Sequence, residues 1–290
     1  MNPVANPVAN PVVAVIAPGM MGAAVGKRLV DHGLKVITSL EGRSADTAKR
    51  ASAAGMTAAS DEEIASSDFV LSIIPPGDAV ALAQRFAPAL TASNAKPVYV
   101  DCNAVAPPTA ERVAAAIAPT GCPFVDAAII GSPPKPQEAG PRVYTSGREA
   151  LRFATLNQYG LEIRPLDGPL TAASALKMSY AGITKGTQAL GAAMMLAATR
   201  GGTADALVQE LKLSQPHMLA WLQRSLSVMP PKAYRWVAEM HEIADFVGED
   251  PAAHELYTGA AHFYEEIARD FETDCEQISA LQAFLEKVAK

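Results

Sequence analysis

Residues 12–22 read VVAVIAPGMMG, and this stretch decides the fold of the chain. The first six of these residues are apolar, which predicts a β-strand buried on both faces, as strands are in a parallel sheet. The next five, residues 18–22, include two glycines and lead into a helical run that ends near residue 30. A glycine-containing turn between a strand and a helix is typical of the G-x-G-x-x-G fingerprint that binds dinucleotides.

The residues of this turn have separate expected roles. At Gly19 the missing side chain would let the backbone approach a pyrophosphate, and at Gly22 it would let helix and strand pack closely. Met20 and Met21 begin the helix, whose N-terminal N–H groups would face the phosphates. Ala17 takes the place of the first glycine, and it can make the turn if its φ stays negative. The alternative is a turn that serves packing alone.

The residue that selects between NAD and NADP is expected about 20 positions further on, after the second strand. Residues 39–44 read SLEGRS there. Glu41 could accept hydrogen bonds from the ribose 2′-hydroxyl of NAD, whereas Arg43 and Ser44 could hold the 2′-phosphate of NADP at the start of a helix. A solvated turn without a ligand is a third possibility. We favour NADP and keep NAD as possible.

Short apolar runs alternate with helical segments as far as residue 164, which predicts a doubly wound Rossmann-type α/β domain. We place this NADP-binding domain at residues 11–167, after a disordered or extended tail of Asn-Pro-Val-Ala repeats at residues 1–10. The predicted strands are residues 12–17, 35–39, 69–74, 98–102 and 124–129, with residues 142–146 and 161–164 extending the sheet.

The pattern changes after residue 168. Residues 171–199 contain no proline and predict one helix of about 40 Å, and further amphipathic helices follow it. The second domain, residues 168–290, is therefore predicted to be all-helical and to serve substrate binding and dimerisation. A helical domain this small and apolar would complete its core against a second copy, so we expect a homodimer formed through it.

Composition excludes several classes of function. The net charge is −6 and no run of Lys or Arg forms a basic patch, so neither nucleic acid nor an anionic membrane is expected as a partner. No apolar run reaches the roughly 18–20 residues of a membrane span, and no secretory signal is recognised at the start. The three cysteines are scattered and the histidines lack metal-ligand spacing. We therefore expect no metal and a cytoplasmic location.

These motifs together resemble those of the β-hydroxyacid dehydrogenase superfamily, and the match spans nearly the whole chain. The family's glycine loop corresponds to residues 17–22, and its Asn-Arg-Thr/Ser cofactor motif to Gly42-Arg43-Ser44. Its proline-rich turn corresponds to Ile74-Pro75-Pro76, and its loop after the next strand to residues 101–104. The resemblance implies a cofactor contact for Ile74 and Pro75, and one with cofactor or substrate for Asn103.

Two further segments are similar to the family's substrate and catalytic motifs. Its Asp-Ala-Pro-Val-Ser-Gly-Gly segment corresponds to residues 126–132, so the resemblance implies that Ile130, Gly131 and Ser132 bind substrate. Its catalytic-lysine helix corresponds to residues 174–178, around Lys177. More narrowly, the chain resembles an atypical subgroup, with a cofactor domain similar to that of 6-phosphogluconate dehydrogenases and a distinct helical carboxy-terminal domain.

The chain departs from the family's pattern in three places. Tyr180 and Ala181 stand where an asparagine usually follows the catalytic lysine, and Glu239-Met240 replaces a common Lys-Asp pair. Ile130-Gly131-Ser132 replaces the usual Ser-Gly-Gly carboxylate site. These changes are compatible with redox chemistry. They argue against the small hydroxycarboxylate that is the usual substrate of the family.

Lys177 is also the best candidate for a proton donor from the sequence itself, because hydride transfer to a carbonyl builds negative charge on oxygen. Its apolar neighbours would lower the pKa of its ammonium. The alternative is a lysine whose head reaches water, and Lys185 is a weaker candidate. Tyr180 could donate a hydrogen bond to substrate or simply pack, and Asn103 could instead cap a helix or a turn.

These expectations describe an NADP-dependent oxidoreductase that interconverts an alcohol, either a hydroxy acid or a related hydroxy compound, and its carbonyl. Lys177 would serve as general acid and base. One alternative is an imine reductase, which usually carries Asp or Tyr where Lys177 stands. The other is a non-catalytic sensor that binds NADP(H).

Overall fold

A computed structural model describes residues 10–135 and 138–289, and within these ranges the chain forms eight strands. The strands are β1 (Val13–Ile16), β2 (Val36–Thr38), β3 (Thr57–Ala58), β4 (Phe69–Ser72), β5 (Val98–Asp101), β6 (Phe124–Ile130), β7 (Arg142–Ser146) and β8 (Glu162–Pro165). The predicted tail lies outside the described residues except for Asn10, so it stays a prediction.

The eight strands belong to one sheet, in the order β3-β2-β1-β4-β5-β6-β7-β8. The first six positions repeat the order 3-2-1-4-5-6 of dinucleotide-binding Rossmann folds. Neighbouring strands are parallel except β6 and β7, which pair antiparallel. The predicted Rossmann-type sheet is therefore confirmed.

Helices flank the strands of the first part of the chain. They are α1 (Met20–Asp31), α2 (Ala45–Ala53), α3 (Asp61–Ala65), α4 (Ala79–Ala92), α5 (Pro107–Ile117) and α6 (Ala150–Phe153), with 3-10 turns at Pro76–Asp78, Ala118–Thr120 and Ala154–Tyr159. Ser44 caps α2 with its hydroxyl, and Ser60 and Glu63 form a capping box at α3. Both caps satisfy N–H groups that a helix start leaves without a partner.

Both faces of the sheet carry a hydrophobic core, which explains the continuous apolar run at β1. On one face Val13 packs with Leu29 of α1 and Phe153 of α6, and on the other Ile16 packs with Phe86 of α4. Each of these side chains is at most 1% exposed. A strand buried on both faces has no position for a polar residue, so its sequence does not alternate between apolar and polar residues.

The rest of the chain is helical, as predicted. Helix α7 (Ala172–Arg200) has 29 residues, close to the predicted helix at 171–199. It is followed by α8 (Ala204–Ser214), α9 (Pro216–Leu226), a 3-10 turn (Pro230–Lys232), α10 (Ala233–Phe246), α11 (Pro251–Glu272) and α12 (Glu276–Ala289). The chain divides into two compact units between Lys177 and Met178, within α7. The predicted domain boundary after residue 167 stays a prediction.

Sequence reasoning missed one strand, β3. Its two residues, Thr57 and Ala58, are both exposed and belong to no apolar run. They form a strand because they pair with the end of β2 at the edge of the sheet. Tertiary pairing, rather than a local pattern, makes this element.

Candidate active site

The turn after β1 fits a dinucleotide. A Cβ added at Gly19 would meet no further atom within 4 Å, which leaves room for a pyrophosphate at the N-terminus of α1. At Gly22 an added Cβ would lie 2.8 Å from the Ala17 carbonyl oxygen, so this glycine permits close packing. Met20 is exposed at the start of the helix, whereas Met21 packs against the core.

Ala17 departs from the expectation for this turn. Its φ is 58°, so the expected negative φ is wrong. The Gly19 N–H donates a hydrogen bond to the Ala17 carbonyl at 2.7 Å, and the tight turn closed in this way holds the alanine in the left-handed region. That region costs an alanine about 1–2 kcal/mol, at the position where the fingerprint has a glycine.

A chain of polar contacts joins the predicted 2′-phosphate motif to the glycine turn. The Ser44 and Thr47 hydroxyls lie 3.1 Å apart, and the Arg50 guanidinium donates to the Thr47 hydroxyl at 2.9 Å. The same guanidinium donates from Nε to the Pro18 carbonyl at 3.2 Å. Arg43 is exposed just before Ser44. Two cations therefore lie at this end of the sheet, and sequence reasoning found only Arg43.

Glu41, the residue that would favour NAD, is engaged elsewhere. Its carboxylate accepts a hydrogen bond from Arg85 of α4 at 2.9 Å, and Arg85 also binds Asp61 at 2.8 Å and the Ser39 hydroxyl at 3.0 Å. The ion pair partly neutralises the Glu41 charge, although its carboxylate stays largely exposed. An exposed pair of this kind contributes little to stability.

Asn103 and Ile74 meet at the carboxyl ends of β4 and β5. The Ile74 N–H donates to Asn103 Oδ1 at 2.7 Å, and Asn103 Nδ2 donates to the Ser72 hydroxyl at 2.8 Å and to Asp101. Asn103 is only 3% exposed. Its side chain thus links the ends of two strands, which fits the alternative prediction that Asn103 stabilises a turn. The cofactor contacts of Ile74, Pro75 and Asn103 stay predictions.

Asp126 of β6 joins the sheet to α7 through two hydrogen bonds. Its Oδ1 accepts a hydrogen bond from the Ser174 hydroxyl at 2.6 Å, and its Oδ2 accepts one from the Ser174 N–H at 2.7 Å. The Ser146 hydroxyl of β7 accepts from the Ala173 N–H at 3.1 Å and donates to the Leu170 carbonyl. The first turn of α7 is therefore capped by residues of the sheet.

Lys177 follows one turn later on α7 and also contacts β6. Its Nζ donates to the Ile129 carbonyl at 2.8 Å. Ile129 directly precedes Ile130, Gly131 and Ser132, so the structure brings the candidate lysine and the candidate substrate segment together. Gly131 has φ of 134°, and a Cβ there would lie 3.1 Å from Pro141. The segment can make this turn because Gly131 is a glycine.

Burial dominates the electrostatics at the base of this site. It raises the pKa of the Asp126 carboxyl to about 6, although the hydrogen bonds from Ser174 and Ser146 favour its ionised form. Burial also raises the pKa of the Cys102 thiol well above its usual range, with the carboxylates of Asp101 and Asp126 acting in the same direction. Both effects follow from the cost of a charge away from water.

Two candidates of the helical unit have a plain structural description. Tyr180 is 47% exposed on α7, and its contact with substrate stays a prediction. Lys185, the weaker lysine candidate, forms a largely buried ion pair with Glu239 of α10 and lies 5.0 Å from the centre of the Trp236 ring. Lys185 therefore has a packing role within the helical unit.

Sequence reasoning assigned no role to Asp126 or Arg50. A carboxylate inside an otherwise apolar strand is a signal that could have revealed Asp126, because a buried charge requires partners. For Arg50, the spacing Ser44, Thr47, Arg50 places three polar residues on one face of a helix. Both signals show that a partner is needed without showing which residue supplies it.

Neither a metal centre nor a membrane span stands out in the described part of the chain. Over residues 10–135 and 138–289, no group of three or more His, Cys, Asp or Glu side chains is arranged to hold a metal ion. Across the same ranges, the helices fall short of the length and apolarity that crossing a membrane requires.

The fold and the glycine turn define a nicotinamide-dinucleotide-binding domain of the kind found in NAD(P)-dependent oxidoreductases. The family model described as the NAD binding domain of 6-phosphogluconate dehydrogenase matches residues 12–157, and the chain belongs to this family. A second model, described as a domain of unknown function (DUF1932), matches residues 198–267 in the helical part. The resemblance stated from the sequence is confirmed.

Similar proteins span most of the chain. A solved structure of the conserved protein MTH1747, of unknown function and described as structurally similar to 3-hydroxyacid dehydrogenases, is 32% identical over 90% of this chain and 98% of that one, with a TM-score of 0.69. An uncharacterised 28.5 kDa protein of Methanothermus fervidus is 29% identical over 62% of this chain and 68% of its own. Mycobacterium tuberculosis 3-hydroxyisobutyrate dehydrogenase with L-serine shares the fold at 19% identity and a TM-score of 0.73, covering 95% and 99%.

Proposed function

We propose that the protein is an NADP-dependent oxidoreductase that interconverts an alcohol and its carbonyl compound. The alcohol is a hydroxy acid or a related hydroxy compound. The observation that carries this proposal is the position of Lys177, whose ammonium donates to the Ile129 carbonyl directly before the segment Ile130-Gly131-Ser132. The family's catalytic lysine and substrate segment correspond to these same residues. The two motifs, 48 positions apart in sequence, therefore support one site.

Lys177 has the chemistry that the reaction needs. When bound, the nicotinamide supplies hydride to the carbonyl carbon or accepts it from the alcohol carbon. Lys177 donates its proton to the carbonyl oxygen as the new C–H bond forms, and it takes the alcohol proton in the oxidative direction. Ser132 and the Gly131 N–H are proposed to bind a substrate oxygen, and Tyr180 is proposed as a further substrate contact.

The preference for NADP is supported by the two cations at the end of β2. Arg43 is exposed beside Ser44, Arg50 joins Thr47 to the glycine turn, and Glu41 is paired with Arg85. A 2′-phosphate would gain charge-assisted hydrogen bonds here, whereas a ribose hydroxyl would gain less. Titration with NADPH and with NADH, followed by cofactor fluorescence, tests this preference, and tighter binding of NADH would contradict it.

Arg43→Ala should weaken NADPH binding about tenfold, the size of one lost charge-assisted hydrogen bond. NADH binding should stay nearly constant, because NADH lacks the 2′-phosphate. Lys49→Ala is the matched control, since Lys49 is exposed on the adjoining helix α2 and pairs only with Asp46 among the described residues. An equal loss of affinity for NADPH and NADH in Arg43→Ala would show that Arg43 does not bind the 2′-phosphate.

Turnover tests the role of Lys177. Lys177→Met should lower kcat by a factor of about 10²–10⁴, the usual contribution of a general acid, while NADPH still binds. Lys96→Met is the control, because Lys96 is also a partly buried lysine that donates to backbone carbonyls, those of Leu90, Thr91 and Thr120. Wild-type turnover in Lys177→Met would overturn the proposal.

The choice of substrates separates the alternatives. Ketones of hydroxy acids and of uncharged hydroxy compounds should be reduced with NADPH, whereas reduction of cyclic imines in preference to ketones would indicate an imine reductase. NADPH binding without turnover across the whole carbonyl panel would indicate a sensor.

Three free cysteines, Cys102, Cys122 and Cys275, support the predicted cytoplasmic location.

The expected homodimer is supported by an apolar surface of the helical unit. Helices α7 and α11 together form a cleft of about 510 Å³. Its rim includes Ile183, Leu190 and Leu256, which are 70%, 62% and 63% exposed. Exposed apolar patches of this kind mark association sites, and we propose that a second copy of the chain covers it.

A further inference from the structure

We propose that Asp126 is the positioning residue of the candidate site, because its carboxylate holds the first turn of α7 on β6 and so places Lys177 against the Ile129 carbonyl. This inference rests on the proposed function only in that Lys177 is taken as the proton donor. Asp126 itself is not proposed to touch a substrate or a cofactor. It acts through the helix that carries the lysine.

The geometry is a two-point attachment. Asp126 binds Ser174, and three residues further on in both elements Ile129 binds Lys177. Over three residues a strand advances about 10 Å, whereas a helix advances about 4.5 Å. The long side chain of Lys177 spans the difference. Releasing the first point would therefore let the second move.

A carboxylate suits the first point better than a neutral group. Its two oxygens accept separately from the Ser174 hydroxyl at 2.6 Å and from the Ser174 N–H at 2.7 Å. Both donors belong to the first turn of α7, where the helix dipole also favours a negative charge. An asparagine presents one oxygen and one N–H₂ group, so one of the two donors would lose its acceptor.

The surroundings of Asp126 determine the pH at which this attachment is best tested. Asp101 of β5 lies opposite Asp126 in the register of the sheet, and the Ser146 hydroxyl of β7 lies 3.4 Å from Asp126 Oδ2. Burial raises the pKa of Asp126 to about 6. At pH 8 Asp126 is therefore ionised, and both of its oxygens accept hydrogen bonds from Ser174.

The test measures Lys177 directly and needs no substrate. Competitive acetylation of the whole protein with acetic anhydride, followed by peptide mass spectrometry, gives the labelling of Lys177 relative to the exposed Lys49. In Asp126→Asn this ratio should rise about fivefold at pH 8, the size of a lost helix cap.

Asp250→Asn is the matched control. Asp250 also caps a long helix, α11, by accepting from the Ala252 and Ala253 N–H groups at 3.0 and 3.3 Å. Asp250→Asn should leave the labelling of Lys177 relative to Lys49 unchanged. If Asp126→Asn does not fold, Ser174→Ala removes the hydroxyl contact alone and should raise the ratio about twofold.

Two results would overturn the positioning role. One is a wild-type Lys177 ratio in both Asp126→Asn and Ser174→Ala, and the other is an equal rise in Asp250→Asn, which would indicate general loosening. The proposed function fails separately, if Lys177→Met keeps its turnover. In that case a raised labelling ratio in Asp126→Asn would still support the positioning of Lys177.

Discussion

At the scale of single residues, the two glycines of the first turn differ in what they permit. Gly19 faces open space, whereas a side chain at Gly22 would collide with the Ala17 carbonyl. The same fingerprint therefore contains one position governed by ligand access and one governed by packing. Substitution by alanine separates these two roles.

Gly22→Ala should lower the free energy of unfolding by about 1–3 kcal/mol, because the backbone must shift to relieve a 2.8 Å contact. Gly19→Ala should unfold as the wild type does, since its φ of −65° suits alanine and its Cβ meets no further atom. It should nevertheless weaken NADPH binding. Urea unfolding and fluorescence titration measure the two effects, and a stable Gly22→Ala would contradict this division.

Asp126 gives a pH dependence of stability whose sign follows from its raised pKa. The folded state keeps a proton up to about pH 6, whereas the unfolded carboxyl loses it near 3.8. Stability from this group is therefore greatest below about pH 4 and falls as the pH rises to about 6. The total is about 3 kcal/mol for a shift of this size.

The contribution of Asp126 to stability can be isolated by unfolding the wild type and Asp126→Asn in urea at several pH values. The difference in the free energy of unfolding, wild type minus variant, should fall between pH 4 and pH 7 and change little above pH 7. All other titrating groups cancel in the difference. A difference that rises with pH would mean that burial does not control this carboxyl.

At the scale of elements, α7 and α10 meet through the ion pair of Lys185 and Glu239, whose side chains are each 15% exposed. A largely buried pair costs desolvation that the attraction between its charges offsets only in part. Lys185 Nζ lies 5.0 Å from the centre of the Trp236 ring, and this ring packs edge to face on Tyr264 with the ring centres 5.2 Å apart. Packing, rather than charge, is therefore expected to hold these helices together.

A double-mutant cycle at this pair tests that expectation. Glu239→Leu or Lys185→Met alone should lower the free energy of unfolding by about 3 kcal/mol, because each leaves one largely buried charge without the opposite charge. The double variant Lys185→Met with Glu239→Leu should lie near the wild type. Thermal and urea unfolding give the four values, and a double variant as unstable as the single variants would show that the pair itself stabilises the helices.

The sequence predicts elements better than it predicts contacts between them. The strand β1 and the helix α7 follow from uninterrupted apolar or proline-free runs, so their bounds agree within one or two residues. The edge strand β3 has no such run, and it exists only through pairing. The attachment of Asp126 to Ser174 spans 48 positions, which no local pattern encodes. The site is thus predictable as a list of residues and not as a set of bonds.

At the scale of the whole molecule, the apolar cleft between α7 and α11 is the surface that the proposed homodimer must bury. Leu190→Glu places a charge within it and should shift the protein from dimer to monomer, since a charge buried without a partner opposes association. Leu213→Glu on α8 is the control, because Leu213 is 81% exposed and lies outside the cleft. Sedimentation velocity measures both, and a dimeric Leu190→Glu would move the interface elsewhere.

The carboxylates beneath the candidate site also determine which sulfur reacts. Burial and the nearby Asp101 and Asp126 keep Cys102 a thiol, and Cys122 is buried as well, whereas Cys275 is partly exposed. Since thiolates are the reactive form, a maleimide dye at neutral pH should modify one cysteine in the native protein and three after denaturation. The wild-type chain therefore offers a single attachment point for a fluorophore in the helical unit, outside the candidate active site.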